Sequence, residues 1–345
     1  MILLTSDTET RPTPAMRSAI AAAEVGDEQR GEDPSVNRLQ QRVAELLGKE
    51  AGLFLPSGTM CNLIAVRTHA EAGQVMFAER NAHVLRAEGG GAALVSGVMS
   101  DPIDGERGIF DAATFERAYA RATALPAPWG PKPRLLCVEQ THNVGGGAVW
   151  PVDTLDAVCA AAHRARLRVH MDGARLMNAV IASGVPAARF CAGTDSAWLD
   201  FTKGLGAPIG AVLAGSRAFI DEARRFKHMF GGAMRQAGIA AAACSYALDA
   251  HVERLAEDHA NARRLAEGLA AIDGIELPLG LPETNIVFFD PDGTGKSPAQ
   301  LCEALLARGV RMVPMGSRVR AVTHLDVNTA QIDEAIAAVG SVLRS

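Results

Sequence analysis

The 345-residue chain is short of positive charge, of paired cysteines and of long apolar runs, and each shortage removes a class of function. Lys and Arg number 34 against 39 Asp and Glu, a net charge of −5, which gives no basis for binding nucleic acid or an anionic membrane. Six cysteines, at 61, 137, 159, 191, 244 and 302, form no C-x-x-C pair, and four lie in apolar surroundings. Reduced core thiols are therefore expected, rather than a disulfide framework or a zinc site. The histidines are dispersed, so no metal centre is predicted. No apolar run reaches the length of a membrane span. The opening MILLTSDTETRP lacks the basic start and long apolar stretch of a signal peptide, so a cytoplasmic location is expected. No repeat or low-complexity tail is present. No G-x-G-x-x-G follows the first strand, and GGGA at 89–92 is read as preceding a strand, which argues against a dinucleotide-binding domain.

What remains is a composition, 48% hydrophobic and 21% charged, that suits a globular enzyme with room for two domains. The middle of the chain alternates strand and helix signals. Strands are expected at GLFLPSG, QVMFAE, AALVSG (92–97), RLLCVEQ, LRVHMD, SAWLDFT and IGAVLAGS. Helices are expected at NRLQQRVAELLGKE, TMCNLIAVRTHAEAG, NAHVLRAEG, TLDAVCAAAHRAR and ARLMNAVIASG. Near-continuous apolar strands alternating with helices predict an α/β fold whose mostly parallel sheet is covered on both faces. From about Tyr246 the pattern changes to a long helix over 250–272, strands around IELP, NIVFF, VRMVPM and RAVTHLD, and a closing helix. This predicts an N-terminal segment 1–14, a large domain 15–245 and a small C-terminal α+β domain 246–345.

Ligands of open α/β sheets sit beyond the carboxyl ends of the strands, so the polar residues there are read as a set. Lys203 follows an apolar strand directly and precedes the turn GLG, where partial desolvation favours the neutral amine as a nucleophile. Asp172 ends what should be a neighbouring strand, and a carboxylate buried there needs a positive partner. Arg175, three residues on, offers two readings: a helix cap with a local salt bridge, or a ligand with a positive and a negative end. A protonated pyridine nitrogen would suit Asp172, and a lysine Schiff base with an aspartate on the pyridinium is how pyridoxal phosphate is held. Ser57, Gly58 and Thr59, between strand and helix, would supply backbone N–H groups for its phosphate.

These residues lie within a longer pattern: SDTETRPTPAM, VGDEQRGEDPSVNRLQ, LPSGTMCNL, NAHVLRAEGGGA, EQTHN, HMDGARLMNA, TKGLGAPIGA, GGAMRQAG and RAVTHLDV. In this the chain resembles, nearly end to end, the low-specificity L-threonine aldolases, pyridoxal-phosphate enzymes of the aspartate-aminotransferase-like fold (fold type I). The resemblance implies that Lys203 bonds the cofactor, that Asp172 faces its ring nitrogen, and that Arg175 faces its phenolic oxygen and helps hold the substrate carboxylate. It implies Gly58 and Thr59 at the phosphate, Arg235 near the phosphate end of a site, its own or a neighbour's, and His83 over the ring. Ser6 and Arg320 would grip the substrate carboxylate, and His142 would reach the substrate hydroxyl. A homotetramer built from dimers, with shared sites, is implied as well.

The implied reaction is that of an aldehyde-lyase. Threonine, allo-threonine or a related L-3-hydroxy amino acid, phenylserine-like ones included, would lose its hydroxyl proton to His83, His142 or an ordered water. The Cα–Cβ bond would then break to give glycine and an aldehyde. A β-eliminating lyase or dehydratase could use the same site, and threonine separates the two, yielding acetaldehyde or 2-oxobutyrate. The chain departs from many relatives in having Arg30 for tyrosine, His228 for lysine and Thr202 for serine, and GGGAVWP (145–151) resembles an insertion. Thr202 keeps the hydroxyl. Arg30 and His228 alter charge near the expected mouth.

Overall fold

Mostly apolar runs of five to eight residues become the strands of the largest sheet in the computed structural model, which describes residues 1–344. The strands are β1 (Ile2–Leu3), β2 (Ala51–Leu55), β3 (Gln74–Glu79), β4 (Met99–Ile103), β5 (Lys132–Glu139), β6 (Arg168–Asp172), β7 (Ser196–Asp200), β8 (Ala211–Gly215), β9 (Ile286–Phe289), β10 (Val310–Arg311), β11 (Val313–Met315) and β12 (Arg318–Val322). Among the described residues β2-β8-β7-β6-β5-β3-β4 form a seven-stranded sheet. Only β8 runs against its neighbours, β2 and β7. The other pairings are parallel, so the expected mostly parallel sheet is present.

Alternation along the strands divides the core between the two faces. Phe77, Leu136, Val138, Val169 and Met171 join one cluster, while Met76, Ala78, Leu135 and Cys137 join another. The helix Gly58–His69 covers the second face and packs against β5, β6 and β7. It starts where it does because Ser57 accepts a hydrogen bond from Met60 N, the usual way a hydroxyl satisfies a free N–H of the first turn.

Residues 255–344 build a second core around the antiparallel sheet β11-β12-β9 and the helices Leu255–Ala270, Pro298–Ala307 and Thr329–Arg344. Ile2 and Leu4 belong to this core, because β1 pairs with β10 and Leu4 O accepts from Val322 N at 2.9 Å. The N-terminal residues are thereby led across to the edge of the large sheet.

Several expected elements differ. AALVSG is not a strand but the helix Gly91–Ser96, bracketed by left-handed Gly90 and Gly97. GGGA therefore precedes a helix, against the reading above. A short apolar run fits either structure, and glycines able to adopt positive φ decide for the helix. The strand follows instead at Met99–Ile103, on the sheet edge, where Pro102 need donate no ladder hydrogen bond. NAHVLRAEG yields only one helical turn, His83–Arg86. The long helix over 250–272 begins at Leu255, after a turn that separates it from Gly238–Ala250. IELP forms a single bridge, Glu276 to Asp290, and VRMVPM is divided between two sheets as β10 and β11. Helices Arg217–Met229 and Ala112–Ala122 were not among the expected elements. All six cysteines are buried and unpaired, as read from the sequence.

Candidate active site

The carboxyl ends of β5, β6 and β7 bring Glu139, Asp172 and Asp200 to one rim of the sheet. Lys203 lies just beyond β7. Its Nζ sits 3.0 Å from Asp200 Oδ2 and 5.8 Å from the centre of the Trp198 ring, with the side chain 18% exposed. Thr202, whose hydroxyl and N–H both donate to Asp200 Oδ1, and Thr10, whose hydroxyl donates to Lys203 O, hold the loop around it.

Asp172 is buried and bonds no arginine or lysine directly. Its Oδ2 accepts from Asn62 Nδ2 at 2.7 Å and its Oδ1 from Ala174 N at 3.0 Å. Burial, then the nearby Glu139 and Glu88 carboxylates, push its pKa up to about 6. Asp172 and Arg175 do not pair with each other. Arg175 donates from Nε and Nη2 to the two oxygens of Asp7, both at 2.8 Å, in a fully buried bidentate pair. Burial alone would raise the Asp7 carboxyl, but the guanidinium outweighs it and holds the group well below the usual carboxylate range. The local cap reading of Asp172 and Arg175 therefore fails. Arg175's chief partner in the chain comes from the N-terminal segment, leaving Nη1 for anything else.

His83 is one-third exposed and joins this cluster. Its Nδ1 lies 2.9 Å from Glu88 Oε1, and its backbone N donates to Glu139 Oε2 at 2.7 Å. The Glu88 hydrogen bond outweighs burial and raises the imidazole pKa. Asn62 Nδ2 also donates to Glu88 Oε1, at 2.6 Å, so one amide ties together Glu88 and Asp172. His83, Glu88 and Asp172 thus offer three ligand atoms within 4.8 Å of one another. The Lys203 amine, 5.8 Å from the centre of the Trp198 ring, lies near Asp172.

His142 is placed differently. It is buried, its Nδ1 accepts from Gly145 N at 3.1 Å, and its Nε2 lies 3.1 Å from Glu79 Oε2 and 3.9 Å from Glu139 Oε2. Burial would lower its pKa, but Glu139 and Glu79 outweigh that and raise it. Neither ring nitrogen faces outward. The ring packs so closely on Gly108 that a Cβ there would come within 2.0 Å of it.

Arg320, on β12, donates to Asn143 Oδ1 and to Thr5 O, both at 3.1 Å, while its buried Nε has no partner. Asn143 N in turn donates to Glu139 Oε1, so Glu139 links His83 to the arginine. Ser6 caps a turn by accepting from Thr8 N. Gly58 and Thr59 open the helix over the Trp198 ring, and a Cβ on Gly58 would come within 2.2 Å of that ring. Arg235 is not brought to this cluster. It is exposed and pairs with Asp27 at 2.9 Å. Arg30 is exposed beside the same Asp27, and His228 is exposed as well. The GGGAVWP segment is braced, Thr284 donating to Gly147 O and Trp150 Nε1 to Glu139 O.

Sequence reasoning missed Asn62, Glu88, Asp7, Glu139 and Asp200. For Glu139 and Asp200 a signal existed, since each is a carboxylate closing an apolar strand as Asp172 does. Asn62, amid the apolar residues of its helix, was a weaker one.

Residues 4–292 match the family described as beta-eliminating lyase. The low-specificity L-threonine aldolase of Escherichia coli (strain K12) is 40% identical over 339 residues, covering 98% of each chain. Among solved structures, the Leishmania major threonine aldolase superposes with a TM-score of 0.84 at 20% identity, covering 99% of this chain and all of that one. A structure of SPT with a pyridoxal-phosphate (PLP) internal aldimine superposes at 0.75 and 17% identity, covering 99% and 87%.

Proposed function

The chain belongs to the beta-eliminating lyase family, among the low-specificity L-threonine aldolases, and from that premise we propose that it cleaves L-threonine, L-allo-threonine and related L-3-hydroxy amino acids to glycine and an aldehyde, with pyridoxal 5′-phosphate held at Lys203. The carrying observation is that a lysine amine and a buried carboxylate without a direct cationic partner, Lys203 and Asp172, stand at the ends of the neighbouring strands β7 and β6. The donor set fits the cofactor. A surplus of carboxylates around Asp172 suits a protonated ring nitrogen, and the start of the Gly58–His69 helix suits a phosphate. The Arg320 guanidinium, whose Nη2 donates to Thr5 O while its Nε has no partner, suits a substrate carboxylate.

When bound, the cofactor supplies an electron sink for the pair released from the Cα–Cβ bond. The chain's own residues then have separable tasks. Lys203 would hold the cofactor through its amine. Asp172, fixed by Asn62 and Ala174 N, would present a carboxylate to the ring nitrogen. Arg320 orients the substrate carboxylate, with Ser6 beside it and Arg175 Nη1 as a further donor. His83 Nε2 takes the proton from the β-hydroxyl, because Glu88 engages only Nδ1. His142 acts through Glu139, which holds the His83 backbone.

Incubation with L-threonine tests the reading. Acetaldehyde and glycine in equal amounts support it, and 2-oxobutyrate with ammonia would replace it by β-elimination. The proposal extends to a homotetramer in which Arg235 serves a neighbour's site, supported by that residue's exposure beside Asp27 and by the exposed Leu94 and Ile239; sedimentation tests it. A cytoplasmic location, supported by six unpaired thiols, is tested by fractionation. No helix among the described residues is long and apolar enough to cross a membrane.

A further inference from the structure

A line of uncharged polar side chains runs behind Asp172, and the reaction as described makes no use of it. His170 precedes Asp172 by two residues on β6, and Ser196 precedes Trp198 by two on β7, so the period of two turns all four toward the Gly58–His69 helix. The register sets His170 directly opposite Ser196. Asn62, His170, Ser196, Asp172 and Trp198 are buried and His69 is half-buried, in a face otherwise packed with aliphatic and aromatic residues. The links are short: His69 Nε2 to Ser196 Oγ, 2.7 Å; Ser196 Oγ to His170 Nδ1, 2.7 Å; His170 Nε2 to Asn62 Oδ1, 3.1 Å; and Asn62 Nδ2 to Asp172 Oδ2, 2.7 Å.

The direction of every hydrogen in this line follows from one group. Trp198 Nε1–H can only donate, and it meets Asn62 Oδ1 at 2.7 Å. That atom is therefore the amide oxygen, and the two amide hydrogens point at Asp172 and Glu88. His170 must donate to the same oxygen, which places its proton on Nε2 and leaves Nδ1 as an acceptor. Ser196 must then donate to Nδ1, and its oxygen must accept from His69 Nε2–H. A proton added to His170 would reverse the Ser196 hydroxyl and set two donors against each other. Burial opposes such a proton, pushing the His170 imidazole down to about 3 and that of His69 down to about 4.

We infer that His170, Ser196 and His69 are positioning residues for Asp172, which act through Asn62 by fixing the amide so that its N–H₂ group, and never its oxygen, faces the carboxylate. An amide turned over would present its oxygen to Asp172 and Glu88 at once, three acceptors without a hydrogen among them. The line thus stabilises Asp172 as an anion where burial and two neighbouring carboxylates oppose that charge. The inference rests on the proposed function for the use made of Asp172, and on the hydrogen bonds above for the line itself.

Ser196→Ala in the PLP-loaded protein is the test, read by PLP dissociation constant, visible absorbance, kcat, KM and unfolding midpoint. Without the hydroxyl, His170 can move its proton to Nδ1 and no longer supports the amide. The expected result is a PLP dissociation constant about tenfold higher and a kcat lower by a similar factor, with KM within about twofold. Should Ser196→Ala fail to fold, His69→Phe carries the same test. That change keeps a ring against Phe219, on which His69 is stacked at 4.5 Å, and removes only the donor to Ser196. About threefold is expected there. A folded variant that binds PLP as the parent does and turns over at the parent rate shows that the line only packs the core, and overturns the inference. A parent protein that stays colourless with PLP removes the cofactor reading and this inference together, so the two failures are distinguishable.

Discussion

Replacing Asp7 by asparagine should be among the most damaging isosteric changes available in this chain. The substitution keeps the shape and removes one charge from a pair in which both partners are buried. Arg175 then remains as an uncompensated guanidinium, and Asn285 Nδ2, which donates to Asp7 Oδ2 at 3.1 Å, must face an amide that can no longer satisfy both neighbours. Breaking a buried pair from one side costs about 3–5 kcal/mol. With a urea dependence of about 3 kcal/mol per molar, the unfolding midpoint should fall by about 1–1.7 M. A pH series separates charge from shape. Because the Asp7 carboxyl is held below its ordinary value of 3.8, its contribution is complete above that value and is lost as the pH falls below it. Asp7→Asn should therefore flatten the acid limb of stability while lowering the plateau. The double change Asp7→Leu with Arg175→Met, which removes both charges, should recover most of the loss in stability. A single variant within about 1 kcal/mol of the parent, or a double variant no better than the single, would refute the assignment of this pair as the clasp between the N-terminal segment and the sheet.

Lys203→Ala should abolish both the aldehyde product and the visible band that borohydride bleaches in the parent; a variant that still turns over threonine contradicts the anchoring role. Glu88→Gln removes the main influence that raises the His83 pKa. A base works unprotonated, so the acid limb of kcat/KM should move to lower pH in that variant, and a limb that stays in place removes His83 as the base. Gly58→Ala would press a methyl group onto the Trp198 ring, costing about 1–3 kcal/mol and weakening PLP binding, as thermal melts and equilibrium dialysis can read.

Much of the architecture was legible because the strands are plain apolar runs. QVMFAE was read to the residue, and of the elements expected from GLFLPSG to IGAVLAGS all but one formed, although Met99–Ile103, Ala112–Ala122 and Ala187–Cys191 went unread. The exception, AALVSG, had composition suited to either structure, and the backbone freedom of Gly90 and Gly97 decided it. Within the site, Lys203 and Asp172 could be read because each breaks an apolar pattern at a predictable place. Asn62, Glu88 and Asp7 could not. An asparagine inside a helix, a glutamate after one turn and an aspartate in the first ten residues take their meaning from partners far along the chain. Such partners are set by sheet order and register rather than by neighbours in sequence.

The pairing of β1 with β10 has a consequence for how the protein comes into being. Ile2 and Leu3 find their partners only when Val310 and Arg311 have been synthesised, and a closure over so long a loop is slow. Until then Ser6, Asp7 and Thr10 have no fixed place, Arg175 waits without its counter-charge, and the loop carrying Lys203 lacks its outer brace. A nascent chain halted before Val310 can assemble the seven-stranded sheet and still be inert. Activity should therefore appear on the ribosome only as an all-or-nothing event, after the last strands have emerged.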